Sequence, residues 1–220
     1  AANPMVIVPA GQSQPQYNPS KDFVPVAKVG VIPLVLATTK GLGFKTVSDL
    51  VAYAKANPGK LHLASSGNGG TPHLCGELLK SVAGINMIHV PYKGGAPAVT
   101  DLVAGQVQLM FDTASSIGPQ VKAGRVRGLA VTSLKRTPLA PELPTIADTL
   151  PGYEVNQWYG FITGAKVPPA IVKKFNDGIV AALKAPDVNQ RLLNAGSVPV
   201  GSTPEQFNAH IKSEIAKWRK

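Results

Sequence analysis

The sequence predicts an α/β fold with a largely parallel sheet. Strand-like and helix-like patterns alternate along the chain, their connections are short, and two strand-to-helix turns are made of glycines. The chain has 220 residues, 44% hydrophobic and 15% charged, enough for a substantial core and too few charges for disorder. Its 22 glycines and 20 prolines punctuate the periodic segments instead of forming a linker.

Residues 1–30 are proline-rich and read as irregular, ending in "DFVPVAKVG". "PLVLATT" (33–39) is a β-branched run suited to a buried strand. In "KTVSDLVAYAKAN", Leu50, Val51 and Ala54 fall at helical spacing, Thr46 or Ser48 is the N-cap, and Pro58-Gly59 ends the helix. "KLHLASS" (60–66) alternates as a strand. The loop "SSGNGGT" then opens a helix, "PHLCGELLKSVAG", that stops at Gly84. "INMIHVPY" (85–92) is a strand, "GGAPAVTDLVAG" (94–105) a helix entered through glycines, and "QVQLMFDT" (106–113) a strand ending beside an acid. A short helix, "SSIGPQVKAG", and a strand, "VRGLAVTS" (126–133), follow. The composition shifts near 150, a candidate lobe boundary. Beyond it come a long strand, "YEVNQWYGFITGA", two helices split at Pro186, and a terminal helix with Thr203 as N-cap and Pro204 in its first position.

Composition removes several functions. The net charge of +10 comes from 22 basic and 12 acidic residues, but the basic ones are dispersed. No arginine-rich tract or aromatic ladder suits nucleic acid, so a basic surface favouring small anions is the reading. The longest apolar stretch, "VGVIPLVLATT" (29–39), is short of a membrane span and is broken by Pro33. Cys75 is the one cysteine, which excludes an internal disulfide; it reads as a small buried hydrophobe in a helix. No leader is recognisable in "AANPMVIVPAGQ", and the chain reads as a mature or trimmed fragment. The four histidines are too widely spaced for a metal site, and no cofactor is expected.

The glycine loops hold the chemistry. In an open parallel sheet, ligands sit at the carboxyl ends of strands, where helix first turns present amides and partial positive charge. Three such ends line up, after Ser66, after Tyr92 and after Asp112. Two of them carry glycines, a pattern that suits a carboxylate or phosphate or, more plainly, tight turns. The Walker pattern fails because Thr71-Pro72 stands where Lys-Ser/Thr is needed, and the dinucleotide fingerprint fails in its spacing. Ser66, His73 and Asp112 could be drawn as a triad, but "ASSGN" lacks the nucleophile elbow. Among the histidines, only His73 is placed near a ligand. Two rival classes are kept: an α/β enzyme acting on a phosphorylated or acyl substrate at these loops, and a basic protein binding nucleic acid or membrane.

The segment "SSGNGGTPHLCGELLKSVAGINMIHVPYKGGAPAVTDLVAGQVQLMFD", and within it "HVPYKGGAPAVTDLVAGQV", resembles the extracytoplasmic solute receptors of tripartite tricarboxylate transporters, also called Bug proteins. The resemblance runs through "VKAGRVRGLAVTSLKRTPLAPELPTIAD" and "GYEVNQWYGFITGAKVPPAIVKKFN" and spans essentially the whole chain, which looks like a member lacking roughly its first quarter. It implies a two-lobed Venus flytrap with mostly parallel sheets, residues 1–37 and 153–220 being the remainder of lobe 1 and 38–152 lobe 2. It implies no enzyme activity but capture of a small organic acid in the periplasm by a monomer that serves a membrane transporter or a sensor kinase. By the same resemblance, Ser66, Gly67, Asn68, Gly69, Gly70 and Thr71 form one wall of the ligand cleft, with His73 beside them. Tyr92, Lys93, Gly94 and Gly95 supply a second helix N-terminus. Asp112, with Thr113, either accepts from a ligand amine or hydroxyl or caps the following helix. Trp158, where the chain crosses back, either covers the ligand or packs in a core.

Overall fold

The computed structural model describes Val6, residues 17–19 and residues 21–218. Most of the segment read as irregular at the N-terminus, and the last two residues of the terminal helix as read from the sequence, lie outside these. The chain divides into two compact units, Pro33–Asn156 and the combination of Ala1–Ile32 with Gln157–Lys220. The divisions fall five residues before and four residues after the boundaries read from the sequence, and the first of them lies within a strand that serves both units.

That strand is β1, Phe23–Thr39, 17 residues long. It was expected only from residue 33, since Pro25 and Pro33 look like breakers; a proline merely removes one N–H, which a strand can tolerate. In the unit Pro33–Asn156, β1 is joined by β2 (His62–Ser65), β3 (Ile88–Pro91), β4 (Leu109–Thr113) and β5 (Val126–Val131), in the order β3-β2-β4-β1-β5. The strands β2, β3 and β4 are parallel. The strand β1 runs antiparallel to β4, with Leu36 opposite Phe111, and antiparallel to β5. The sheet is therefore mixed, which corrects the expectation of mostly parallel sheets. A strand buried on both faces reads as a continuous apolar run in either direction, so the pattern could not show the reversal.

Helices α1 (Val47–Ala56), α2 (Thr71–Ala83), α3 (Gly95–Ala104) and α4 (Ala114–Lys122) belong to this unit. Successive residues of β2 point to opposite faces. Leu63 abuts Gly76 of α2, so closely that a Cβ there would collide with it, whereas Ala64 clusters with Ala98 and Leu102 of α3 and Ile117 of α4. Thus α2 covers one face of the sheet and α3 and α4 the other. Cys75 is fully buried, and Tyr153 donates its hydroxyl to the Cys75 carbonyl at 2.9 Å.

In the second unit, the first part of β1 pairs with β6 (Asn156–Gly164) and β7 (Val198–Pro199). Helices α5 (Pro169–Lys184), α6 (Pro186–Asn194) and α7 (Pro204–Trp218) complete it. Thr203 caps α7 as expected, accepting from the Gln206 amide at 3.2 Å while the Gln206 side chain accepts from the Thr203 amide at 3.0 Å. The core here gathers Val6, Trp158, Phe207 and Ile211.

Candidate functional site

Because β3, β2 and β4 are parallel neighbours, their carboxyl ends lie along one edge of the sheet, with Ser65 opposite Pro91. This edge brings together Ser66 to Thr71, Tyr92 to Gly95, and Asp112 with Thr113. Each strand hands over to a helix there, and the four helices of the unit begin in two different ways.

Helices α1 and α4 begin on threonines. Thr46 accepts from the Asp49 amide and Asp49 accepts from the Thr46 amide, a reciprocal cap; Thr113 accepts from the Ser116 amide at 3.3 Å. Helices α2 and α3 begin on Gly70 and Gly94, with no side-chain cap hydrogen bond. Gly67 (φ 142°), Gly69 (φ 70°) and Gly94 (φ 118°) occupy backbone conformations that a Cβ would strain. The edge therefore displays two helix first turns whose amides no capping side chain takes, each carrying the positive end of a helix dipole.

Around α2 the loop is tied to its strand. The Ser65 side chain, fully buried, donates to the Gly67 carbonyl at 3.0 Å and accepts from the Gly67 amide at 3.3 Å. The Tyr92 amide donates to the Ser65 carbonyl at 2.9 Å, which holds the second loop beside the first. Ser66, Asn68 and Gly69 stay exposed. His73 is not a free side chain, since its Nδ1 accepts from the Gly69 amide at 3.0 Å.

At the second and third strand ends, side chains are more committed than the sequence suggested. The Tyr92 hydroxyl donates to Asp101 at 2.6 Å, and that bond, with some burial and the Asp101 charge, pushes the phenol up to about 12. Tyr92 thus contributes backbone to the edge, while Lys93 is exposed beside it. Asp112 bonds the start of α4. One carboxylate oxygen accepts from the Thr113 amide at 2.8 Å and the other from the Ser116 hydroxyl at 2.6 Å. The latter oxygen also lies where a Cβ on Gly95 would be 3.5 Å away, so the α3 end already has a carboxylate beside it. At the α2 end the carboxylate in contact, Glu77 beside His73, is paired with Lys80, which makes this the more favourable place for an anion.

Trp158 belongs to the other unit. Its side chain is 1% exposed, edge-on to Phe207 (5.4 Å, 88°) and His210 (5.2 Å, 72°), and its Nε1 has no hydrogen-bond partner among the described residues. This is packing in a core, one of the two readings the sequence left open for Trp158. Sequence reasoning missed Ser65 and His89, which lie 2.6 Å apart (Oγ to Nε2). The sequence placed only His73 among the histidines near a ligand, and the pairing of β2 with β3 is what reveals the partner of His89. Two concave regions lie elsewhere: about 220 Å³ among Val35, Ile117 and Leu139, and about 770 Å³ among Val24, Val172 and Asn176 of the second unit. Among the described residues, no group of three or more His, Cys, Asp or Glu could hold a metal ion, and no helix is long and apolar enough to cross a membrane.

Comparison with known proteins decides the family. The description "Tripartite tricarboxylate transporter family receptor" (TctC) matches residues 1–220. The chain belongs to this family. The family is one of transporter receptors, not of enzymes. A Pseudomonas sp. strain P51 protein of the tcbD–tcbE intergenic region is 42% identical over 206 residues, covering 93% of this chain and 61% of that protein. Protein BugT of Bordetella pertussis is 35% identical over 205 residues, covering 92% of this chain and 62% of its own. The chain spans about three fifths of the length of these curated relatives. Among solved structures, an R. palustris protein with adipate superposes with a TM-score of 0.83 at 35% identity, over 99% of this chain and 73% of that one. MatC from Rhodopseudomonas palustris with bound malate gives 0.78 at 30% identity, over 98% of this chain and 74% of that one. The likeness to these structures extends to both units.

Proposed function

We propose that the protein binds a small organic carboxylate in the periplasm and presents it to a membrane transporter or to a sensor kinase. One observation carries the reading: at a single sheet edge, α2 and α3 start on glycines with no side-chain cap, while α1 and α4 start on threonines. Two helix ends at one edge are left uncapped, where a carboxylate can replace its hydration shell with amide hydrogen bonds and a helix dipole. Ser66 to Thr71 form the principal wall. Asp112 is the group to which a ligand hydroxyl or amine would donate, and it disfavours a second carboxylate close to Gly95. The adipate and malate carried by two structural relatives support this ligand class. In this reading Pro33–Asn156 is one lobe of a two-lobed receptor, the other unit is part of the second lobe, and the protein acts as a monomer.

The test is a thermal-shift panel of adipate, malate, citrate, aromatic carboxylates, amino acids and nucleotides. A ligand at 100 times its Kd adds about 2.7 kcal/mol of stability, which raises Tm by about 5–10 °C at this chain length. A selective rise with a carboxylate is expected. A rise with nucleotides alone, or none with any carboxylate in this chain and in a full-length relative such as BugT, overturns the proposal.

A further inference from the structure

A loop containing Gly67, Gly69 and Gly70 has little side-chain preference to hold its shape, and glycine loses the most backbone freedom on ordering. Something outside the loop has to fix it, and two stacked histidines do so from opposite ends. The rings of His73 on α2 and His89 on β3 lie 3.9 Å apart at 14°. His73 reaches back to Gly69 through Nδ1 at 3.0 Å, and His89 reaches Ser65 through Nε2 at 2.6 Å. Ser65 in turn holds both the amide and the carbonyl of Gly67. The stack therefore grips the loop at its entry and at its centre.

An imidazole nitrogen that accepts from a backbone amide must be unprotonated, so His73 is the tautomer with its proton on Nε2. That nitrogen faces Glu77 Oε1 at 3.4 Å, and Glu77 is paired with Lys80 at 2.7 Å. Adding a proton at Nδ1 turns the acceptor into a donor that faces the Gly69 N–H, and the bond is lost. The Ser65–His89 bond has no such sensitivity, because Ser65 Oγ can accept from a protonated Nε2.

We propose that His73 is a positioning residue: its unprotonated Nδ1 latches the glycine loop in the shape that presents amides to a ligand, so a proton on that nitrogen releases the loop and weakens carboxylate binding. The ligand half of this statement rests on the function proposed above. The charged and titratable groups facing the latch are His89 from β3 and Glu77 and Lys80 from α2 itself. His89 is held below the usual histidine value, first by burial and then by the His73 charge, with Glu77 working the other way and Lys80 adding a smaller depression.

The experiment follows the Gly69 amide in ¹⁵N–¹H spectra without ligand, from about pH 8 to about pH 5, alongside the His73 Cε1 proton. The two resonances are expected to move together with one midpoint in the wild type. His73→Asn places a non-titrating acceptor near the position of Nδ1, so its Gly69 amide should stay in the bonded position at every pH; His73→Ala should leave it in the unbonded one. On acidification, adipate affinity should fall roughly two- to tenfold more in the wild type than in His73→Asn, where only the protonation of adipate itself acts; the difference is the value of one hydrogen bond. A Gly69 amide that ignores the His73 titration overturns the latch, and the wild-type spectra decide this even if a variant does not fold. A pH profile unchanged in His73→Asn also overturns it. If no carboxylate binds while Gly69 follows His73, the latch stands and the function proposal fails instead.

Discussion

Helices α1 and α2 are neighbours in sequence and begin in opposite ways. At α1, Thr46 and Asp49 satisfy each other's amides, and the hydrogen bonds from Lys45 and Thr46 hold the Asp49 carboxyl below its usual range. At α2, Gly70 offers no side chain, and the loop before it is fixed from outside by Ser65 and His73. The first is a helix start that stabilises the fold. The second leaves amides open at the sheet edge, a sacrifice of local stability that makes sense where a ligand supplies the missing acceptor.

The largest expected effect comes from converting the second kind of start into the first. Gly70 has extended backbone (φ −74°, ψ 164°), and a Cβ there would meet only the Gly67 carbonyl at 3.6 Å and Pro72 Cδ at 3.7 Å, ordinary contact. Gly70→Asp is thus free of strain and provides an N-cap acceptor carrying a negative charge. Its Tm should hold or rise slightly, because aspartate and glycine differ at N-caps by only a few tenths of a kcal/mol. Carboxylate affinity should fall about 100-fold, since two like charges about 5 Å apart near a surface repel by about 3 kcal/mol. Gly70→Ser, with the acceptor but not the charge, should lose only a fewfold. Calorimetric titration with adipate measures both, and an aspartate variant that binds as tightly as wild type would remove α2 from the site.

The contrast between these starts was partly legible in the sequence. Thr203 and Pro204, together with the closing glycines Gly84 and Gly105, marked helix ends because caps are local chemistry, and of the two candidates Thr46 and Ser48 it is Thr46 that caps α1. The glycine turns, too, were visible as candidate amide donors. The direction of β1 was not, since it depends on which strands pair and not on composition. Nor were the roles of His73 and His89: one sits on a helix and one on a strand, and they meet only because β2 pairs with β3. Asp112 stayed ambiguous for the same reason. Its link to Ser116 could be guessed from the spacing, but its closeness to Gly95 required the fold.

The reciprocal substitution sharpens the comparison. Thr46→Ala removes the cap of α1, where no loop glycine and no strand end of the β3-β2-β4 edge is involved. It should cost about 1 kcal/mol in urea unfolding, in line with other N-cap replacements. Carboxylate affinity should not change. A loss of affinity comparable to that of Gly70→Asp would show that capping reaches the site through general stability, and the distinction between the two kinds of helix start would collapse.

The smallest effect separates the histidine pair of the loop from His210 in the core of the second unit. Burial, and secondarily the Lys28 charge, take the His210 imidazole down to about 4, with Glu214 opposing and Lys217 adding a smaller depression. A histidine depressed in the folded state is neutral there while the unfolded chain binds a proton, so its stabilising contribution is whole above about pH 6.5 and shrinks as the pH falls toward about 4. Partial exposure and solvent screening reduce the effect to about 1 kcal/mol or less. His210→Phe keeps an aromatic ring beside Trp158, now 5.2 Å away, and removes the proton. Its urea midpoint should decline less than that of the wild type between these pH values, whereas His73→Asn should leave that decline in place. If the two variants flatten the acid profile equally, loop order and core stability titrate as one event, and the latch would have to be read as a symptom of global softening and not as a device of the loop.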